Sequence, residues 1–439
     1  MLNQFTVSLW GDEAFSAVLS QKSIPQIISI IARDTSPPLY NLTEHIWFRL
    51  FSSSEIAIRG LSFFYYLIAA FFVYEIGRYL WNKKTGLIAA LLTLINPFFF
   101  IYAFEGRMYS LLAATVCASM YFFLKKSWKA YAIATTLALY THHFAIFAIF
   151  AQGLWILKEL FGKKRKTAVG AIKYFLIIGI LYLPWLIPLY NQTRMVGSGF
   201  WLGRPTLGDL ANLISKYLTQ GIKHPFAKPA LYLTFTLLVL RRWGKDVEKS
   251  IFVLSWFLIP IFAAFIISQK FSSIFFDRYL LYTIPAACLL LASNLRRVSL
   301  PLLVLVVIGF LTIDSFYFTH PTKRPFGELA TYVKETQRGD DCLINWNSAA
   351  HHLWESKYYG IPAPIYVAKG TSLPYYVGTA LMTESDIIDS LPSGKEAKKI
   401  NRIGVITSGP VEEVVLPGYT KSEEKVFGQL KFIWFLRLR

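Results

Sequence analysis

Charged residues are scarce in this chain, and they are unevenly spread. Asp, Glu, Lys and Arg make up 16% of its 439 residues, where a soluble protein carries about 25%. They fall in clusters between long apolar runs, which excludes an ordinary soluble domain. Acidic residues are the scarcer sign, 26 against 45 Lys and Arg, for a formal net charge of +19. In a soluble protein that surplus would point to nucleic acid. Here most of it sits in short loops between apolar runs, where it sets membrane orientation, so nucleic acid is not expected as a partner. Cysteine is nearly absent. Cys117, Cys288 and Cys342 have no metal spacing and two lie in apolar runs, so no disulfide framework is readable. The first residues are polar and aromatic, not a basic stretch followed by an apolar core, so no cleavable signal peptide is expected. Internal repeats and low-complexity segments are also lacking.

What is abundant is apolar sequence: 54% of residues are hydrophobic and 17% aromatic. A spanning helix needs roughly 20 apolar residues. Residues 60–80, 87–104, 108–124, 167–190, 251–268, 279–294 and 298–313 qualify, with 230–240 shorter. Residues 130–157 are long for one helix and short for two. The loops at 78–86, 125–129, 158–166, 241–249 and 296–297 hold 17 Lys and Arg in 34 residues, and the intervening loops hold 8 in 54. Lys/Arg-rich loops face the cytoplasm. Basic clusters on both sides of 130–157 therefore require it to cross twice, as a helical hairpin with Thr141, His142 and His143 at its outer tip. The pattern predicts a multi-pass α-helical membrane protein of about ten spanning helices, with both chain ends outside. Residues 1–59 form a first extracytoplasmic loop with amphipathic, interfacial segments at 15–31 and 42–51. Residues 60–313 form the bundle. Residues 314–439 are polar, with short apolar runs at 342–344, 403–406, 411–416 and 430–436 and helix-like segments at 326–336 and 383–391. They read as a C-terminal extracytoplasmic α/β domain.

Lipid tolerates ionisable groups poorly, so those at helix ends and loop tips are candidates for function. Asp12 and Glu13 are adjacent carboxylates opening an amphipathic segment. They suit a general base near an apolar boundary, and they equally suit a helix N-terminus. Asp34 precedes a stiff Pro37-Pro38 turn that ends at Tyr40; it could ligate a metal or position an acceptor, or serve the turn alone. Glu105, Arg107 and Tyr109 occupy a tight turn between two apolar runs, where Arg suits phosphate recognition; a local ion pair with an interfacial Tyr is the alternative. Arg278 follows Asp277 at the outer start of an apolar run, against the positive-inside trend, as a phosphate ligand or a snorkelling side chain. His142 and His143 are the best histidine candidates, yet no HxxxH or HExxH spacing accompanies them.

In this order and on this topology, the clusters resemble the dolichyl-phosphate-mannose protein mannosyltransferase-like group. That group belongs to the GT-C superfamily, with the bacterial aminoarabinose transferases and the lipopolysaccharide-core sugar transferases of rhizobia. The matching stretches are Ser8-Leu9-Trp10-Gly11-Asp12-Glu13-Ala14, Asp34-Thr35-Ser36-Pro37-Pro38-Leu39-Tyr40, Glu105-Gly106-Arg107-Met108-Tyr109, Thr141-His142-His143 and Arg278-Tyr279-Leu280-Leu281-Tyr282-Thr283-Ile284-Pro285. They cover residues 8 to about 313. The resemblance implies a GT-C-like fold and an inverting glycosyltransferase at the outer membrane face. A sugar would pass from a polyprenyl-phosphate donor, whose tail lies among membrane lipids, to a lipid, glycan or protein hydroxyl. It further implies Asp12 as the acceptor base and Glu105 as the next candidate. Arg107 and Arg278 would hold the donor phosphate. Glu13, Asp34, Tyr40, Tyr109, His142 and His143 would position the acceptor. No cofactor is certain, and a divalent metal stays open. The chain departs from the group at Gly11, often aromatic in relatives, and at Ser36, where histidine is common. Relatives also place a spanning helix before the first acidic motif, which begins here at Trp10. The competing class is a secondary transporter or lipid flippase, which calls for repeats and midplane broken helices; the candidate charges instead cluster towards one face.

Overall fold

The computed structural model describes residues 2–162, 165–219, 224–239, 246–293, 300–346, 350–391 and 400–438. Its helices, in chain order, are α1 (Gly11–Ser20), α2 (Ile24–Ile31), α3 (Leu39–Phe51), α4 (Glu55–Leu80), α5 (Lys83–Leu94), α6 (Pro97–Ala103), α7 (Tyr109–Lys125), α8 (Trp128–Thr141), α9 (Ala145–Leu160), α10 (Arg165–Tyr182), α11 (Leu186–Gly197), α12 (Leu207–Thr219), α13 (Ala227–Val239), α14 (Val247–Lys270), α15 (Ile284–Ala292), α16 (Leu300–Thr319), α17 (Phe326–Thr336) and α18 (His351–Tyr359). The chain divides into two compact units. One joins Met1–Asp34, Asn41–Ile58 and Pro321–Arg439; the other joins Thr35–Tyr40 and Arg59–His320.

The larger unit is the helical bundle. A helix that is apolar on every side belongs in an interior, and α7 is such a helix: Tyr109 to Met120 are buried without a break. It packs along α8. A closed polar cluster ties α7, α8 and α9 together. Ser119 and Thr135 hydroxyls lie 2.8 Å apart, Gln152 Nε2 donates to Ser119 Oγ at 3.0 Å, and Tyr131 Oη donates to Gln152 Oε1 at 3.0 Å. Such bonds between apolar helices are worth about 0.6–2 kcal/mol each. The stretch 130–157 does divide into two helices, α8 and α9, with His142 and His143 between them.

Asn96-Pro97 breaks the apolar run 87–104. Pro97 lacks the N–H that would continue the helix, and α5 and α6 meet at 68°. Asn96 caps the new helix by accepting from Phe99 N at 2.9 Å and donates to Tyr217 O at 2.6 Å. Four helical stretches are long and apolar enough to cross a membrane: Glu55–Leu80, Arg165–Gly197, Val247–Lys270 and Leu300–Thr319. The bent α5–α6 pair would make a fifth, among the described residues. The other expected crossings are helices of 9 to 17 residues, from α15 to α7. The run 279–294 is one of these. It opens as a 3-10 helix, Asp277–Thr283, so Arg278 does not stand at an α-helix N-terminus as expected; α15 begins only at Ile284.

The smaller unit contains a six-stranded sheet in the order β3-β2-β1-β4-β6-β5: β1 (Cys342–Trp346), β2 (Ile365–Tyr366), β3 (Ile387–Ile388), β4 (Arg402–Thr407), β5 (Tyr419–Phe427) and β6 (Leu430–Arg437). The first four strands run parallel, and β6 and β5 are antiparallel additions. Side chains alternate between two buried faces. Leu343, Ile406, Phe432 and Trp434 join α17 on one face, and Ile344, Ile403, Val405, Ile433 and Phe435 form the other. The expected strands at 342–344, 403–406 and 430–436 are present. Two expectations are corrected. Residues 411–416 give a 3-10 turn, Val411–Glu413, and residues 383–391 give a 3-10 turn followed by β3. The strand in this region is the charged β5, joined to β6 by a two-residue turn in which Gly428 takes φ 58°.

Candidate active site

In the bundle, tight connections between short helices gather the candidate charges. The turn from α6 to α7 is pinned at Glu105, whose carbonyl accepts from Ser62 Oγ at 2.6 Å and from Arg107 N at 2.7 Å. Glu105 Oε1 lies 3.9 Å from Arg278 Nη1, with both side chains largely buried. That separation is long for a charge-assisted hydrogen bond, so the pair is loose. The Arg278 guanidinium lies 4.7 Å from the Phe276 ring centre and 5.6 Å from that of Tyr109. Tyr279 stands between the two clusters. Its ring centre is 6.4 Å from Tyr109, 4.9 Å from His142 and 5.2 Å from Phe144. Neighbouring Asp277 is spoken for: Lys216 Nζ lies 2.6 Å from its carboxylate, and Tyr217 Oη donates to its carbonyl at 3.0 Å. Among these residues, Arg107, Arg278 and Lys216 stand against Glu105 and Asp277. The local balance favours an anion.

The two histidines at the tip are uncharged. Burial pushes His142 down to about 3, reinforced by His143, Arg107 and Arg278, and pushes His143 down to about 4. They act through hydrogen bonds. His142 Nδ1 accepts from Phe144 N at 3.1 Å, which leaves the ring proton on Nε2. His143 belongs to a relay. Tyr182 Oη donates to His143 Nδ1 at 3.3 Å, His143 Nε2 donates to Gln192 Oε1 at 2.8 Å, and Gln192 Nε2 donates to Ser36 O at 3.3 Å. The relay ties the segment before Pro37-Pro38 to the hairpin tip. Tyr40 is buried on the same unit, at the start of α3.

The remaining carboxylates lie on the smaller unit. Asp12 and Glu13 occupy the first turn of α1, in different environments: Asp12 is half-exposed, and Glu13 is fully buried. Glu13 Oε2 accepts from Trp10 N at 3.3 Å and pairs with Lys323 Nζ at 2.9 Å. Asp34 is buried just past α2. Among the described residues, no three His, Cys, Asp or Glu side chains stand together as a metal set.

Sequence reasoning did not single out Tyr279, Gln192, Tyr182 or Lys323. Tyr279 was visible as the residue after Arg278. Gln192 lies in the polar stretch Asn191-Gln192-Thr193-Arg194 of α11, where nothing local sets it apart. Nothing local marks Lys323.

A family model described as "Dolichyl-phosphate-mannose-protein mannosyltransferase" matches residues 35–188. No curated protein sequence matches the chain. Among solved structures, ArnT from Cupriavidus metallidurans in its apo state is 12% identical over 98% of this chain and 93% of its own, with a TM-score of 0.69. The same enzyme bound to undecaprenyl phosphate gives 12% identity, 98% and 94% coverage and a TM-score of 0.61. The archaeal oligosaccharyltransferase AglB from Archaeoglobus fulgidus, in complex with an inhibitory peptide and a dolichol-phosphate, gives 12% identity, 92% and 66% coverage and a TM-score of 0.52. The chain has the GT-C fold. The resemblance carried by the ordered motifs is thereby borne out, as is a mostly helical GT-C architecture with a C-terminal sheet. With several long apolar helices on this fold, the chain is an integral membrane protein.

Proposed function

We propose that the chain is a glycosyltransferase that passes a sugar from a polyprenyl-phosphate donor to a hydroxyl of a lipid, glycan or protein. The observation that carries this reading is that Arg107, in the turn between α6 and α7, and Arg278, in the 3-10 segment before α15, stand together beside Glu105 in a GT-C fold. In that role the acceptor oxygen attacks the anomeric carbon as Asp12 takes its proton. The bond from that carbon to the phosphate oxygen breaks, and its electron pair leaves with the polyprenyl phosphate. Arg107 and Arg278 meet the charge that develops there. Attack opposite to the leaving group inverts the anomeric carbon. Glu105 orients Arg278 or serves as a second base. Neutral His142 and His143, with Tyr109, Tyr40, Asp34 and Glu13, position the reacting groups. The Lys/Arg pattern supports about ten crossings and chemistry at the extracytoplasmic face, in the plasma membrane if the source is prokaryotic.

The test is transfer of radiolabel from polyprenyl-phosphate sugars in membranes containing the chain. Label should reach an acceptor with the native chain and fall to background with Asp12→Ala, while that variant inserts normally. Native-level turnover by Asp12→Ala would remove Asp12 from the mechanism.

A further inference from the structure

The acidic motif sits on a helix that the C-terminal part of the chain holds in place. Ser8 Oγ accepts from Gly327 N at 3.0 Å, and Leu9 N donates to Tyr359 Oη at 3.0 Å, so the segment entering α1 is fixed by α17 and α18. Trp10 stacks on His351, with ring centres 6.3 Å apart. Gly11 lies so close to the same ring that an added Cβ would stand 2.4 Å from His351 Nδ1. On the next turn Phe15 packs edge-on to Trp354 at 5.3 Å and against Gly378, where a Cβ would stand 2.7 Å from the Phe15 ring. Glu13 makes an ionic contact within this packing, and its partner is Lys323, just before α17.

We infer that Lys323 is a positioning residue for Asp12. Its ammonium anchors the buried carboxylate of Glu13, and that carboxylate also caps α1 through Trp10 N. The pair thereby fixes the turn and rotation of the helix from which Asp12 projects. This rests on the reading of Asp12 as the acceptor base. A separate contact bears on the departure at position 11: a larger residue there would crowd the His351 ring of α18.

The experiment uses the full-length protein in detergent or nanodiscs, with Lys323→Met and Lys323→Arg, each checked for a monodisperse elution profile. Two readouts are taken: hydrogen exchange of the Gly11–Ser20 amides, and donor and acceptor kinetics of transfer. Lys323→Met should raise exchange across α1 and lower kcat by about 100-fold, the loss expected for a reacting group displaced by about 1 Å. KM for the polyprenyl-phosphate donor should not change, and Lys323→Arg should restore most of kcat. Unchanged exchange in Lys323→Met would overturn the anchor, and raised exchange with unchanged kcat would overturn the positioning role. A loss in Lys323→Met that Lys323→Arg fails to restore would also overturn it. If the native chain transfers no sugar from any donor, the reaction reading fails and takes the positioning role with it, whereas the exchange readout still decides the anchor.

Discussion

Asp12 and Glu13 have the same chemistry and adjacent positions, yet the fold gives them different surroundings. Glu13 is fully buried and paired with Lys323, whereas Asp12 is half-exposed, and that difference supports the proposal of Asp12 as the acceptor base. Local sequence could not separate them, because a capping carboxylate and a catalytic one look alike at a helix start. Arg278 is the clearest residue-scale test of donor binding. Arg278→Ala should weaken binding of the polyprenyl-phosphate donor by about 10- to 100-fold, the worth of a charged hydrogen bond, and should leave acceptor affinity nearly unchanged. Direct binding of both ligands checks this, and equal losses for donor and acceptor would contradict the phosphate role. The histidines make a second prediction. Depressed to about 3 and about 4, His142 and His143 stay neutral throughout the physiological range. The pH profile of transfer should therefore show no step near 6.5, the ordinary histidine value. Such a step abolished by His142→Gln would refute the neutral assignment.

At the scale of elements, close packing depends on particular small residues. Helices α4 and α5 cross at Gly77 and Gly86: a Cβ on Gly77 would stand 2.6 Å from Gly86 Cα, and one on Gly86 would stand 2.4 Å from Tyr74 O. These contacts are backbone, so they have little room to yield. Gly86→Val should destabilise the bundle by about 1–3 kcal/mol, read as a lower unfolding midpoint in detergent. In the smaller unit, α18 carries a buried pair, His352 Nδ1 3.2 Å from Glu355 Oε2. Burial raises Glu355 to about 8, with Arg324 opposing and Glu13 adding to the rise; burial also lowers His352 to about 3, with Arg324 and His351 adding. The folded protein keeps a Glu355 proton that the unfolded chain releases, so this contribution is full below about pH 4.5 and lost as pH rises to about 8. For His352 the sign reverses. Its contribution is full above about 6.5 and lost as pH falls towards 3. The two slopes oppose each other between about 4.5 and 6.5, and above 6.5 only the Glu355 loss remains, at up to about 1.4 kcal/mol per pH unit. Thermal unfolding at pH 5.5, 6.5 and 8 should show the decline above 6.5 and its absence in Glu355→Gln. An identical decline in that variant would place its origin elsewhere.

At the scale of the whole molecule, the distribution of Lys and Arg carries the proposal about sidedness. In intact cells, a cysteine introduced at Lys126 should be shielded from a membrane-impermeant maleimide, and one introduced at Thr383 should react. The reverse pattern would invert the assignment and move the proposed chemistry to the cytoplasmic side.

The sequence by itself determined the apolar bundle, the hairpin break at His142-His143 and three of the longer strands. Each is written in local signals: apolar runs, clustered Lys and Arg, short β-branched and aromatic runs. The ordered motifs also marked the group whose fold the chain shares. The edge strand β5 was illegible because its residues 420–423 are exposed, so it has no apolar run to read. The Glu105–Arg278 pair, the Tyr182–His143–Gln192–Ser36 relay and the Glu13–Lys323 anchor were decided only by tertiary structure. Each joins residues far apart in the chain, and a hydrogen bond or ion pair between distant side chains leaves no periodic trace in either segment. The span count divides along the same line. Composition supplies the apolar runs, but their length as helices depends on prolines, caps and 3-10 turns whose effect appears only once neighbouring segments pack.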